Sequence, residues 1–349
     1  MSLAKRGAGC LRVVLMLVVV ALASGCAMVK VRSVESPDYI AAKRADVLTD
    51  GRLGYASQEA LRVIGLDPVL CSTQVHQCIS QIGKQPGLET EVRLATLAEL
   101  WTQAALAQAR LDGKAAQGQS QQAVDAWLEA ARHAYAYLFF SGRTPAERAL
   151  EDRLTQVRDY YNNAAEQAAA MVFARAREQA LDGGGGSAVK VSASGWTVSA
   201  RYDDLGLQSV PRSLVAASSI GFAGLRSTYR RDGFGAELVV VMEPSVLAVP
   251  LQEEPEEMTA VRGPVYSEMP AINATAILRF GGNTLEQVLA TRQISLEAYA
   301  PERTATVQME GQQVPLAGNY TAAYGLWLAQ SGFAGQSLRT LFGRGEGIV

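Results

Sequence analysis

Two histidines, His76 and His133, and four cysteines, Cys10, Cys26, Cys71 and Cys78, are the residues of this chain suited to acid–base work near neutral pH, thiol chemistry or zinc ligation. A histidine titrates near neutrality and is the usual general base, but it needs a nucleophile within hydrogen-bond reach. His133 lies in a helical stretch near Trp127, Leu128 and Tyr137 and reads as a helix-surface residue, not a base. His76 sits between Cys71 and Cys78, where it is expected to be exposed. Two thiols and one imidazole fall short of the four ligands of a structural zinc site, so no metal is expected there.

The serines fare no better. A nucleophile elbow requires Gly-x-Ser-x-Gly, because small flanking residues let the strand-to-helix turn expose the hydroxyl. Gly118-Gln119-Ser120 and Gly335-Gln336-Ser337 begin that pattern, but Gln122 and Arg339 stand where the second glycine belongs. Gly183 to Gly186 are followed by Ser187-Ala188. A phosphate-cradling loop needs Lys-Ser/Thr at that point, so the glycines read as a flexible linker. Glu151-Asp152 is surface charge and Tyr229-Arg230-Arg231 a solvated turn. The acidic run Glu253-Glu254-Pro255-Glu256-Glu257 is a loop that lacks the spaced oxygen ligands of a calcium site. No catalytic residue, cofactor or metal ligand is expected.

The chemistry most clearly written in the chain is modification of Cys26. Lys5, Arg6 and Arg12 form a cationic start, and residues 13–23 are continuously apolar. A run of that length suits the core of a signal peptide, whereas a membrane-spanning helix needs roughly 20 apolar residues. Leu22-Ala23-Ser24-Gly25-Cys26 then resembles the bacterial lipobox, in which the cysteine receives a diacylglyceryl group and becomes the new N-terminus. Multiple acyl chains anchor stably. Ala27 in place of Asp favours the outer membrane, by resemblance to lipoprotein sorting signals. The protein is therefore expected to be tethered to that membrane with its bulk in the periplasm.

Processing changes the remaining inventory. Cys10 leaves with the signal and Cys26 carries lipid, so Cys71 and Cys78 are left in an oxidising compartment with six residues between them. A disulfide is expected. Removing residues 1–25 takes three cations, leaving 29 against 34 acidic residues, a net charge of −5. That balance argues against nucleic acid as a partner.

The elements that would carry these residues follow from periodicity. Residues 26–88 read as a tether, a short helix with Ser57 as its cap, and a cysteine loop. Across 89–182, apolar residues recur at three- and four-residue steps in three helices. The stripes are Leu94, Leu97, Trp101 and Ala105; Val124, Leu128, Ala131, Tyr135 and Leu138; and Leu150, Leu154, Val157, Tyr161, Ala164, Ala168 and Met171. Asp112-Gly113 and Ser141-Gly142 separate them, and Thr144-Pro145 with Glu147 makes a helix start. They suggest a helical bundle or a tetratricopeptide-like helical array. After the linker at 183–187 the period becomes 2. Val189, Val191, Ala193, Trp196, Val198 and Ala200 alternate with polar residues, as do later rows through Phe280, Leu296 and Met309. Residues 188–318 thus read as an antiparallel β-rich domain, a sandwich or partial barrel. A helix near Leu326 and Trp327 and a Gly-rich tail complete residues 319–349. The fold class is α+β.

The succession of lipobox, helical region, Gly break and β-rich region, closed by Asn319-Tyr320-Thr321-Ala322-Ala323-Tyr324-Gly325-Leu326-Trp327, resembles the front part of longer proteobacterial lipoproteins. Those continue, past a Gly-rich stretch like Gly343-Arg344-Gly345, into an α/β-hydrolase domain with a serine elbow. The resemblance implies an accessory region that positions a serine hydrolase of esterase or lipase type. The hydrolase half is missing, so it carries over no catalytic residue and implies a truncated, split or stand-alone product. The alternative is an independent scaffold or envelope-assembly lipoprotein that binds protein partners through its helices.

Overall fold

Alanine-rich sequence with regularly spaced apolar residues folds into three long helices, because alanine costs no side-chain entropy and lets helices approach closely. The computed structural model describes residues 30–33, 46–83, 85, 87–115, 119–181, 188–193, 195–207, 211–223, 228–242 and 271–330. Its helices are α1 (Tyr55–Val63), α2 (Pro68–Thr73), α3 (Val75–Ile82), α4 (Thr90–Ala115), α5 (Gln121–Phe140) and α6 (Asp152–Leu181). Two more, α7 (Leu285–Ala290) and α8 (Ala322–Gln330), come later in the chain. Strands β1 (Lys30–Ser33) and β5 (Ile220–Ala223) pair antiparallel.

The main sheet has six strands: β2 (Ala188–Ala193), β3 (Trp196–Arg201), β9 (Gln293–Tyr299), β8 (Ala271–Phe280), β7 (Ala236–Val241) and β4 (Ser213–Ala216), in that spatial order. It is curled into a half-barrel, and the class is α+β as expected. Direction is where expectation fails. β3 and β9 run parallel, with Val198 opposite Ile294 and Ala200 opposite Leu296, so the sheet is mixed rather than antiparallel. Alternating residues specify which face is buried and leave strand direction open, since the period of 2 is common to both arrangements. A separate hairpin joins β10 (Thr306–Met309) to β11 (Gln312–Pro315), and β6 (Arg230–Arg231) pairs with β12 (Gly318–Asn319). Glu310 and Gly311 turn the hairpin with φ of 49° and 75°, the paired positive values of a tight type I′ connection.

Helices and sheet share one interior. Tyr135, Tyr160 and Tyr161 lie in the same buried cluster as Trp196, Phe280 and Leu278. Residues 182–187 lie outside the described residues, but the segments on either side bury their apolar faces together and not in two separate cores. Tyr161 makes the join specific. Its hydroxyl donates to the Leu278 carbonyl at 2.6 Å and accepts from the Leu278 N–H at 2.8 Å. Leu278 lies just beyond the point where β7 pairing ends, at Ala236 opposite Ala276, so the helix completes bonds that the strand leaves open.

The opposite face of β7 and β8 is covered too. Val239, Val241 and Ala271 pack against Ala322, Ala323 and Leu326 of α8. All six residues of β7 are buried, as its β-branched run requires. In β8 the polar row behaves differently from expectation: Asn273 and Thr275 are buried as well. Asn273 Oδ1 accepts from the Ala323 N–H at 2.9 Å, and Thr275 Oγ1 donates to the Ala317 carbonyl at 2.7 Å.

Three local expectations are corrected by capping and burial. The segment around Cys71 and Cys78 is two short helices instead of a loop, because Asp67 caps α2 by accepting from the Val69 N–H and Pro68 occupies its first turn. Ser57 lies inside α1, where Gly54 is the cap. Thr144 and Glu147 do form a reciprocal capping box, with Glu147 Oε2 accepting from the Thr144 N–H at 2.6 Å. Only turns follow, however; α6 begins at Asp152, and Leu150 is 100% exposed, off the expected stripe. Arg148 explains the detour. It is fully buried, stacks over Tyr137 at 4.2 Å and donates to the carbonyls of Tyr137 and Leu138, closing the C-terminal end of α5.

Candidate functional site

α6 crosses the sheet beside the edge of β7, and there the structure opens a polar cleft of about 150 Å³. The reason is register. β4 covers β7 only as far as Ala216 opposite Leu238, so Ala236 and Glu237 lie past its end. The loop before β7 forms one wall, fixed by backbone contacts that side chains cannot replace. A Cβ on Gly233 would lie 2.5 Å from the Ala317 nitrogen, and Gly235 adopts φ of 102°. Asn162 of α6 grips this loop from both ends, donating to the Gly233 carbonyl at 3.0 Å and accepting from the Gly235 N–H at 2.7 Å.

Glu237 and Asn163, each 8% exposed, and Arg158 line the same cleft. Arg230 Nε donates to Glu237 Oε1 at 2.8 Å. Burial pushes the Glu237 carboxyl above the usual range, against the pull of Arg230 and Asn319. No donor reaches Glu237 Oε2 in hydrogen-bonding geometry, and Asn163 Oδ1 and Arg158 Nε are likewise buried without a partner. Ser218 donates to Glu166 Oε2 at 2.8 Å on the far wall. The cleft carries four carboxylates, Asp159, Glu166, Asp232 and Glu237, against the guanidiniums of Arg158 and Arg230.

No protein family, curated protein or solved structure matches this chain.

The residues expected to carry chemistry are distributed away from the cleft. Cys26 and the rest of the lipobox lie outside the described residues, as do the acidic run 253–257 and the Gly-rich tail 343–347. Cys71 and Cys78 are joined in a disulfide with a Cα separation of 5.5 Å. Both are buried in a small core with Leu61, Ile82 and Leu100. His76 is exposed as expected, with its ring edge-on to Trp101 at 5.5 Å. Among the described residues no three His, Cys, Asp or Glu side chains gather as a metal would require.

His133 is the clearest reversal. It is 9% exposed, not on a helix surface, because 16 of the residues of α5 are buried between α4, α6 and the sheet. Its Nδ1 sits 2.8 Å from the Glu129 carbonyl oxygen and therefore carries the proton as donor. Burial brings its pKa down to about 4. Glu129 itself pairs with Arg132 and, at 2.9 Å, with Arg292. Both guanidiniums approach the Trp196 ring, at 5.2 and 4.5 Å, and the Trp196 N–H donates to Asp125 at 2.8 Å. This set fastens α5 to the start of β3 and the approach to β9. Arg231, from the expected basic turn, is also structural: it donates to the Leu316 carbonyl at 2.7 Å and stacks on Tyr320.

Proposed function

We propose that this protein is a lipid-anchored envelope lipoprotein, modified at Cys26, whose folded body holds a partner near the outer membrane. The partner would be a hydrolase domain, as the resemblance to longer lipoproteins implies, or another protein. Two features support the reading. The Cys71–Cys78 disulfide suits an oxidising compartment. More decisive is the pairing of β1 with β5, which brings the chain into the fold at Lys30, four residues after Cys26. Four residues reach at most about 14 Å, so an acylated Cys26 would hold this end of the body at the bilayer instead of on a long leash.

A surface for contact accompanies it. From Pro68 to Gly83 there is no Asp, Glu, Lys or Arg, and Val69 and Leu70 are 74% and 46% exposed on the disulfide-stapled pair α2 and α3. Exposed apolar groups in an uncharged stretch are typical of interaction surfaces. The reading is tested by fractionating cells that express the full chain and its Cys26→Ala variant. The parent should sediment with membranes and be released by detergent, and the variant should move to the soluble periplasmic fraction. A variant that stays with detergent-extractable membranes would refute lipid anchoring at Cys26.

A further inference from the structure

The cleft between α6 and β7 is built like a binding site, and we infer that it receives a primary ammonium group with an adjacent carbonyl, as at an amino-acid amide or a peptide's amino end. The inference stands apart from the lipid anchor and rests on three atoms. Among the described residues, nine buried side-chain nitrogens and oxygens have no hydrogen-bond partner, and three of them belong to residues lining this one cleft. Glu237 Oε2 and Asn163 Oδ1 are acceptors, and Arg158 Nε is a donor. Asp159 Oδ1 stands 4.0 Å from Arg158 Nε, beyond a hydrogen bond. Leaving such groups unsatisfied is costly, and three residues that each carry one line the same cleft.

Their types define the complement. Two acceptors, one of them a carboxylate, call for a cation with several N–H donors, which an ammonium is; a hydroxyl has a single donor, and a primary amide has two but no charge to meet the carboxylate. The lone guanidinium N–H calls for an acceptor beside it, which a carbonyl supplies. Four carboxylates against two guanidiniums bias the cleft toward positive charge. Size limits the remainder. A cavity of about 150 Å³ falls below the roughly 300–1,000 Å³ of drug-sized ligand pockets, so it takes a few heavy atoms or the end of a longer chain. The clamp of Asn162 on Gly233 and Gly235 keeps this wall in place before a ligand arrives.

The experiment uses the full chain in detergent micelles, 15N-labelled, with three probes: glycinamide, triglycine amide and acetamide. Glycinamide should shift the Asn163 side-chain amide saturably, with a dissociation constant in the roughly millimolar range that so few heavy atoms allow. Acetamide, which lacks the ammonium, should not. Triglycine amide binding tenfold more tightly assigns the cleft to peptide ends, and equal or weaker binding assigns it to the free molecule. Glu237→Gln, which keeps an amide oxygen for Arg230 Nε, should weaken glycinamide at least tenfold. Unchanged glycinamide binding by the folded variant would mean that Glu237 serves Arg230 alone and would overturn the inference. Should that variant misfold, Asn163→Ala tests the second acceptor, again with a tenfold loss. No saturable shift with either amine, or acetamide binding as well as glycinamide, overturns the inference.

Discussion

Two polar groups placed along the same helix, α6, are treated in opposite ways. Near its start, Arg153 meets Glu99, which is fully buried on α4. Both oxygens of the carboxylate are bonded: it takes Arg153 at 2.8 Å, the Ser57 hydroxyl at 2.6 Å and the Gly54 N–H at 2.5 Å. Burial alone would lower the pKa of the Arg153 guanidinium, but Glu99, together with Tyr160 and Tyr137, more than offsets that, and the net shift is upward. Two turns further along, Arg158, Asn163 and Glu237 are nearly as enclosed and remain incompletely bonded. A closed polar group ties α1, α4 and α6 together. The open one ties Glu237 to Arg230 but leaves Glu237 Oε2, Asn163 Oδ1 and Arg158 Nε unbonded, which is the room the proposed ligand would fill.

The largest expected effect tests the closed group. Glu99→Ala leaves Arg153, Ser57 Oγ and the Gly54 N–H without their shared acceptor, and stranding one partner of a buried pair costs roughly 3–5 kcal/mol. Urea denaturation should show that loss of unfolding free energy. A cost below about 1 kcal/mol would mean that the pair is solvated in solution, and the contrast with the cleft would collapse.

A second test uses pH and the group on α5. His133 has a folded pKa of about 4, below the 6.5 of a free histidine. Between those values the unfolded chain binds more protons, so stability rises with pH across the window and is lost as pH falls from 6.5 toward 4. Glu129, whose carboxyl is raised by burial, acts in the opposite sense above the ordinary carboxylate value. The wild type should therefore lose about 2 kcal/mol more than His133→Asn between pH 7 and pH 5, measured by urea titration at each pH. Equal losses would show that the imidazole reaches water, as the sequence alone suggested.

The helices and the inward strand rows were legible because spacing alone encodes them. Leu128, Tyr135, Tyr161, Val198 and Ala276 are all buried where periodicity puts them. The disulfide followed from elimination and compartment. What sequence could not supply is relational. Nothing local separates a helix with one wet face from α5, which is buried all round, and so His133 was misplaced. Nothing local gives β3 and β9 the same direction. The cleft was invisible for the same reason: Asn162 and Gly233 are 71 residues apart, and the site exists only because β4 stops short of Glu237. The one available hint was Gly233 and Gly235 flanking Phe234, a spacing that marks close backbone approach.

The finest test lies in two adjacent asparagines. Asn162 and Asn163 follow one another on α6, share a residue type and face the same cleft. Asn162 makes two bonds to the loop backbone, so Asn162→Ala should cost roughly 1–3 kcal/mol by leaving the Gly233 carbonyl and Gly235 N–H unsatisfied. Asn163 Oδ1 has no partner to lose, and Asn163→Ala should change stability by no more than about 0.5 kcal/mol, despite its greater burial. Burial alone would rank the pair the other way. A larger loss at 163 than at 162, measured by the same denaturation assay, would mean that the Asn163 oxygen serves the fold, and the distinction between the closed and open groups on α6 would fail at its most sensitive point.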